Sequence, residues 1–167
     1  MGVKPFATRQ QMFDGGNPYG RRYYWKSDYF DALSPSLADE ILTHTEELPS
    51  PNCVTLCFHL GGQISRTPND HSAAAHRDAN YVLNVTAGWD DPSLDSDCLQ
   101  WTRSYHAATQ PHSTGGVYVN FLAEDEGVDR VKAAYDPEKF ARLAQLKRTW
   151  DPDHLFRVNK NIPPASD

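Results

Sequence analysis

Apolar and polar residues follow two different periods along this chain. Four stretches rich in aromatic and β-branched residues are typical of β-strands: residues 21–30, 53–60, 79–87 and 117–122. Residues 35–48 and 92–108 instead repeat their apolar side chains every three or four positions, as a helix with one buried face does. This order predicts an α+β fold, a ferredoxin-like βαββαβ antiparallel sheet with both helices on one face.

Local signals at the helix starts support this assignment. Ser34 is a good N-cap residue, and Pro35 suits the first position of a helix. The stretch that begins at Pro92 has the clearest helical stripe in the chain: Leu94, Cys98, Trp101, Tyr105 and Ala108. With both helices on one face, the other face of the sheet is uncovered and carries many aromatic residues. The pattern therefore predicts a missing partner for that face.

The sequence divides into three parts. Residues 1–20 have weak periodicity and are interpreted as a lead-in with at most one short strand. Residues 21–122 form the ferredoxin-like domain, in which the polar stretch 63–71 is expected to be a loop. Residues 123–167 form a C-terminal segment with a short helix, an amphipathic helix over 137–150 and an extended tail.

Charge and composition narrow the possible functions. The chain has 167 residues and a formal net charge of −6, without a basic run interleaved with aromatic residues. This balance argues against a nucleic-acid or anionic-membrane partner. No apolar stretch approaches the ~20 residues that span a bilayer. Residues 1–11 show no apolar core followed by a cleavage site, so a cytoplasmic location is the default expectation.

The spacing of cysteine and histidine residues predicts no metal site. The three cysteines show no CxxC spacing, which argues against a disulfide framework or a zinc knuckle. Thiols that pack as small apolar groups are the favoured interpretation. The seven histidines form neither HxxxH nor HExxH, so packed or surface histidines are expected.

Specific motifs accumulate in the last fifty residues. Residues 115–121 have the sequence GGVYVNF, residues 142–152 combine RLxxLK with an aromatic-Asp-Pro turn, and residues 156–164 have the sequence FRVNKNIPP. Together they resemble the C-terminal signature of berberine-bridge-enzyme-like oxidases. Further segments resemble the substrate domain of that family, so the resemblance covers nearly the whole chain: YWKS at 24–27, HLGG at 59–62, AHR at 75–77 and WTR at 101–103.

The resemblance implies both a fold and an activity. Members of the family bind FAD mainly through an N-terminal domain, and a ferredoxin-like substrate domain covers the isoalloxazine ring. They oxidise alcohols, sugars, amines or related carbon centres by passing a hydride to the flavin. This sequence matches the substrate and C-terminal regions alone. We therefore expect a fragment of a longer chain or one half of a split enzyme, completed by a separate flavin-binding domain or subunit.

Tyr118 and Asn120 are the first candidate site residues. On a strand, residues two apart point to the same face. A phenol beside a flavin can act as catalytic base toward a substrate hydroxyl or orient the substrate, and an amide can bond the polar edge of the flavin. A YxN pair alone is equally a sheet tyrosine and a turn-facing asparagine. The family resemblance favours catalysis by Tyr118, and FAD binding by Tyr118 and Asn120.

Four further residues complete the candidate set. Lys26 is predicted to face the open side of the sheet and Tyr24 shares its face, so both are candidates for substrate binding; a solvated lysine and a packed tyrosine are the alternatives. Asn159 and Asn161 are candidates for FAD binding, although pinning of the tail through backbone hydrogen bonds is the favoured role. The identity of the small-molecule substrate stays open.

Two functions from different classes compete. One is the substrate-binding and C-terminal portion of an FAD-dependent oxidase. The other is a non-catalytic ferredoxin-like module that binds a small molecule or a protein. The retained motifs GGVYVN and NKNIP favour the oxidase, because a repurposed module has no need of a flavin-facing strand.

Overall fold

A small antiparallel sheet organises the chain, and helices follow each strand. The computed structural model describes residues 2–158 and 160–166. Its helices and strands, in chain order, are α1 (Phe6–Gln10), β1 (Arg22–Phe30), α2 (Pro35–Glu46), β2 (Val54–His59), α3 (Gln63–Arg66), β3 (Tyr81–Trp89), α4 (Asp95–Thr109), α5 (Val128–Ala133) and α6 (Pro137–Trp150).

The sheet has the order β1-β3-β2, with both pairs antiparallel. β3 lies in the centre, and all nine of its residues pair with β1, from Arg22 opposite Trp89 to Phe30 opposite Tyr81. A strand flanked on both sides is shielded from water, and most of β3 is buried. The prediction of an α+β fold with an antiparallel sheet is confirmed.

Helices α2 and α4 cover one face of this sheet, as predicted. α4 packs on β1 and β3, and α2 packs beside α4. Leu37 of α2 is fully buried against Phe30 and Leu83, which stabilises the fold by about 1.5–3 kcal/mol. The Ser34 hydroxyl accepts a hydrogen bond from the Leu37 amide at 3.2 Å, so the predicted N-cap is confirmed.

The predicted fourth strand over 117–122 is wrong, and the four-stranded ferredoxin-like sheet is not confirmed. Two backbone hydrogen bonds hold residues 114–116 against the free edge of β1: Thr114 N to Tyr29 O at 2.9 Å, and Tyr29 N to Gly116 O at 3.1 Å. The backbone then leaves the edge in a 3-10 turn, Val119–Phe121. The apolar side chains of this segment are buried in a cluster with α5 rather than in the sheet, and that packing overrides their strand propensity.

Two smaller expectations are also corrected. The lead-in contains the short helix α1 and a 3-10 stretch, Gln11–Gly16, rather than a strand. The polar stretch 63–71 holds the short helix α3 instead of being a loop throughout. Both stretches are largely exposed, so local backbone preferences decide their conformation there.

The charged residues of β1 lie on the helix-covered face of the sheet. Phe30 packs against α2 on that face, and side chains of a strand alternate, so Lys26 and Tyr24 share the face with it. Tyr24 also packs against the cluster around Ala87 and Trp89. The prediction that Lys26 faces the open side of the sheet is therefore wrong.

The C-terminal segment packs through its own apolar cluster of Val117, Leu122, Val131 and Ala134. Helix α6 has the predicted bounds, because Asp136 caps its start with a 2.9 Å bond from the Lys139 amide and Asp151 follows its last residue. Among residues 2–158 and 160–166, no helix is both long and apolar enough to cross a membrane.

Candidate functional site

Tyr118 and Asn120 meet directly. The Asn120 side-chain amide donates a hydrogen bond to the Tyr118 hydroxyl at 2.7 Å. The Tyr118 ring packs edge-on against Phe121 with 5.2 Å between centroids, and the tyrosine is 38% exposed. The 3-10 turn, not a strand, brings the two side chains together. The result is an accessible phenol whose oxygen already receives an amide donor.

A second phenol, that of Tyr29, lies near this pair. Tyr29 follows the predicted alternation of β1 and points to the face opposite α2 and α4, where it is buried. Burial, together with the neighbouring Tyr118, raises the pKa of Tyr29 to about 12. Tyr29 therefore stays protonated at neutral pH and can serve only as a hydrogen-bond donor or acceptor, not as a base.

Tyr24 and Lys26 belong to a polar network at the edge of β1. The Tyr24 hydroxyl donates to Asp125 at 2.9 Å and accepts from Arg103 Nε at 3.2 Å. Lys26 Nζ lies 3.2 Å from Asp125 and 3.3 Å from Glu126. The network joins β1, α4 and the turn that leads to α5.

The network fixes the charge of its members. Burial would raise the pKa of Asp125, but hydrogen bonds from Tyr24, Arg103 and Lys26 outweigh burial and hold that pKa at about 2. Burial would lower the pKa of Lys26, but the charge of Glu126 and the contacts with Tyr24 and Asp125 raise it above the ordinary value. Lys26 is therefore a paired cation rather than a free base.

A cleft of about 1180 Å³ opens at this edge of the sheet. Asn120 and Tyr24 line it, so the structure brings one candidate cofactor residue and one candidate substrate residue to the same space. Aromatic and cationic side chains complete much of the wall: Tyr23, Trp25, Tyr135, Arg103 and Lys160. The indole Nε1 of Trp25 is buried and has no hydrogen-bond partner within the described chain.

The two candidate asparagines of the C-terminal tail, Asn159 and Asn161, differ in what the structure says about them. Asn161 donates to the Phe156 carbonyl at 2.7 Å, which is the pinning contact that sequence favoured. Asn159 lies outside the described residues. Asp151 accepts from the Leu155 and Phe156 amides at 2.8 and 3.1 Å, so it holds the turn after α6.

The described residues contain no group of three histidine, cysteine or acidic side chains placed to hold a metal ion. Sequence reasoning missed Tyr29, Arg103 and Asp125. Tyr29 could have been found by alternation, since it shares a face with Tyr23 and Trp25. Arg103 lies in the WTR stretch at 101–103, whereas Asp125 carries no local signal. Only the packing of α4 and the 123–126 turn brings the two residues to Tyr24.

Comparison with known proteins shows which proteins this chain is similar to. Residues 117–163 match the family model for berberine and berberine-like proteins. An FAD-linked oxidoreductase of Dictyostelium discoideum is 29% identical over 170 residues, a match that covers 98% of this chain and 35% of that protein. The segment matched by the family model contains Tyr118, Asn120 and Asn161.

Solved structures show the same fold. Berberine bridge enzyme from Eschscholzia californica superposes with a TM-score of 0.77 at 20% identity, over 88% of this chain and 34% of that chain. A glycopeptide hexose oxidase, solved with teicoplanin, superposes with a TM-score of 0.76 at 20% identity, over 87% of this chain and 33% of that chain. The chain thus spans about a third of the length of these relatives.

The fold and the matched segment are similar to a portion of FAD-linked oxidoreductases. The resemblance to berberine-bridge-enzyme-like oxidases that the sequence motifs indicated is confirmed. FAD, the predicted cofactor, is the cofactor named for the matching relative.

Proposed function

We propose that this chain is the substrate-binding and C-terminal portion of an FAD-dependent oxidase that transfers a hydride from an alcohol, sugar or amine carbon to the flavin. The observation that carries the proposal is the 2.7 Å bond between Asn120 and the accessible Tyr118 hydroxyl, inside the segment that matches the berberine-type family. A separate flavin-binding domain or subunit would hold most of the FAD.

The side chains at the site fit a flavin. Asn120 is exposed and uses one amide hydrogen on Tyr118, so its second hydrogen and its carbonyl oxygen can meet the polar edge of the ring system. Trp25 adds an aromatic surface beside the same cleft. When bound, the flavin supplies the hydride acceptor.

Within this proposal Tyr118 is the base. It takes the proton from the substrate hydroxyl or amine while the hydride leaves the adjacent carbon. The Asn120 amide, aimed at the phenol oxygen, stabilises the negative charge that the oxygen carries before it accepts the proton. Tyr29 stays protonated beside it, so it does not compete for the substrate proton.

Tyr24 and Lys26 act differently in this proposal. Tyr24 lines the cleft and can contact substrate or flavin, while Asp125 and Arg103 fix its hydroxyl. Lys26 is held by Asp125 and Glu126, so it supports the wall of the cleft rather than reaching into it.

Exposed apolar residues support the proposal of a partner domain. At the C-terminal end, Trp150, Leu155, Phe156 and Val158 are between 75% and 81% exposed. Four such residues within nine positions are unusual for a surface that meets only water, and they suit a protein–protein contact. The flavin-bearing portion of the enzyme is the occupant that we propose.

A flavin titration tests the proposal. FAD is added to the purified chain, and quenching of flavin fluorescence and retention after gel filtration are measured. We expect Tyr118→Phe and Asn120→Ala each to weaken binding by about tenfold, the equivalent of roughly one lost hydrogen bond. Tyr19→Phe, at a fully exposed tyrosine of the lead-in, is the matched control and should bind as the wild type does.

The outcomes separate the two candidate functions. If the isolated chain does not bind FAD, the same titration is repeated on a longer protein, expressed from the same gene with any coding sequence that lies upstream of this chain. Retention of FAD there, sensitive to Tyr118→Phe, supports the oxidase. Absence of flavin in both proteins contradicts the proposal and favours a non-catalytic binding module.

A further inference from the structure

The imidazole of His76 lies flat against the backbone just before Tyr118. A Cβ atom placed on Gly116 would lie 2.4 Å from His76 Cε1 and 2.5 Å from Nδ1, well inside any real contact. Only glycine fits at this position. The His76 ring therefore restricts where the backbone of Gly116 can lie, two residues before the candidate base Tyr118.

The same ring is tied on two other sides. Its Nε2 lies 2.8 Å from the carbonyl oxygen of Ala133, at the end of α5, so the Nε2–H tautomer donates there. Its centroid lies 4.9 Å from that of the Tyr29 ring. Tyr29 in turn holds the 114–116 segment through two backbone hydrogen bonds. His76 thus contacts both structures that set the position of the segment, α5 and β1.

The backbone of His76 is itself in an uncommon conformation. Its φ is +56°, in the left-handed region that non-glycine residues adopt only at an energetic cost. The contacts of the ring with Gly116, Ala133 and Tyr29 offset that cost. These contacts fix the orientation of the His76 side chain, and a side chain must be fixed before it can position a neighbouring segment.

We propose that His76 is a positioning residue for Tyr118: its imidazole fixes the 114–118 segment between β1 and α5 and so sets where the Tyr118 phenol stands. This inference rests on the proposed role of Tyr118 as the base. His76 does not touch substrate in this scheme, and it acts through Gly116 and Tyr29.

Amide hydrogen exchange measured by NMR on the intact chain tests the first half of the inference. In His76→Ala, we expect the Tyr29 and Thr114 amides to exchange at least tenfold faster, because their hydrogen bonds hold the segment to β1. The amides of β3 should keep their wild-type rates, which shows that the sheet is folded. His71→Ala, at an exposed histidine of the same loop, is the matched control.

A second substitution, Gly116→Ala, tests whether the contact between the His76 ring and Gly116 is what fixes the segment. Gly116→Ala should loosen the segment to a similar extent because its methyl group collides with the ring. If the ring is what fixes the segment, adding His76→Ala to Gly116→Ala produces little further acceleration. Fully additive effects, or unchanged exchange at Tyr29 and Thr114 in His76→Ala, would overturn the inference.

The second half needs a readout that depends on Tyr118. In the flavin-loaded protein, His76→Ala should slow flavin reduction at saturating substrate about tenfold with little change in KM, and should have no further effect in a Tyr118→Phe background. An equal loss with and without Tyr118 would mean that His76 is merely structural, which contradicts this inference alone. A wild-type protein that never reduces flavin would instead contradict the proposed function.

Discussion

The guanidinium of Arg130, in α5, lies 2.9 Å from the buried carboxylate of Asp28, in β1. His106 of α4 lies 2.9 Å from the other oxygen of the same carboxylate, whose side chain is 1% exposed. Arg130 also reaches Glu126 at 2.7 Å and the Ser27 carbonyl at 2.9 Å. One buried carboxylate therefore ties the sheet, the long helix and the C-terminal segment together.

Removal of Arg130 should be costly. In Arg130→Met, Asp28 stays buried with only His106 still facing it among the described residues, so we expect the free energy of unfolding to fall by about 3 kcal/mol, the lower end for a broken buried pair. Urea denaturation followed by circular dichroism measures this. Arg103→Met, which removes a mostly exposed partner of Asp125, should change stability little. Equal losses of stability in the two variants would contradict a larger contribution from the Arg130–Asp28 pair than from the Arg103–Asp125 pair.

Acid should weaken the network at the edge of β1. The folded-state pKa of Asp125 is about 2, below its ordinary value of 3.8, so Asp125 stabilises the fold above about pH 4 and loses that contribution as the pH falls toward 2. The test is the stability difference between wild type and Asp125→Asn, measured by urea denaturation from pH 6 to pH 2.5. The difference in stability between the two proteins should become smaller as the pH approaches 2.5. A gap that stays constant with pH would show that the Asp125 charge does not contribute.

Thiol reactivity should separate the three cysteines. Cys53 and Cys98 are buried, and burial raises the pKa of the Cys98 thiol to about 11. Partial burial also raises the pKa of the Cys57 thiol, but Cys57 is the exposed cysteine and the one that a reagent can reach. We expect one thiol per chain to react with Ellman's reagent in the native state and three in guanidinium. Cys57→Ser should remove the native reaction. Rapid labelling of that variant would show that the helix-covered face opens.

Gly88 should not tolerate a side chain. A Cβ at Gly88 would lie 2.9 Å from the Asn52 carbonyl oxygen and 3.1 Å from Cε1 of the Tyr23 ring. Gly88→Ala should therefore cost about 1–3 kcal/mol through overpacking. Gly15→Ala is the matched control, since no atom lies within 4 Å of the added Cβ, and its effect should be small. Thermal unfolding of both variants gives the comparison, and equal midpoints would show that both the Asn52 backbone and the Tyr23 ring move aside freely.

The site could be predicted only in part. The motif around Tyr118 and Asn120 identified the pair, and the pair does meet, although through a 3-10 turn rather than along a strand. The face of Lys26 was predicted incorrectly because alternation along β1 gives two sets of residues without saying which set the helices cover. Burial of Phe30 against α2 settles that choice, and it places Lys26 beside Asp125.

By itself the sequence determined the local structure: three of the four strands, α2 with its Ser34 cap, α4 and α6. These elements depend on period, caps and helix stops, which act over a few residues. Tertiary structure decided the path of residues 114–122, the network around Tyr24 and the place of His76 against Gly116. Each of these depends on contacts between residues far apart in the chain, where burial of Val117 and Leu122 against α5 outweighs the strand propensity of the segment that carries them.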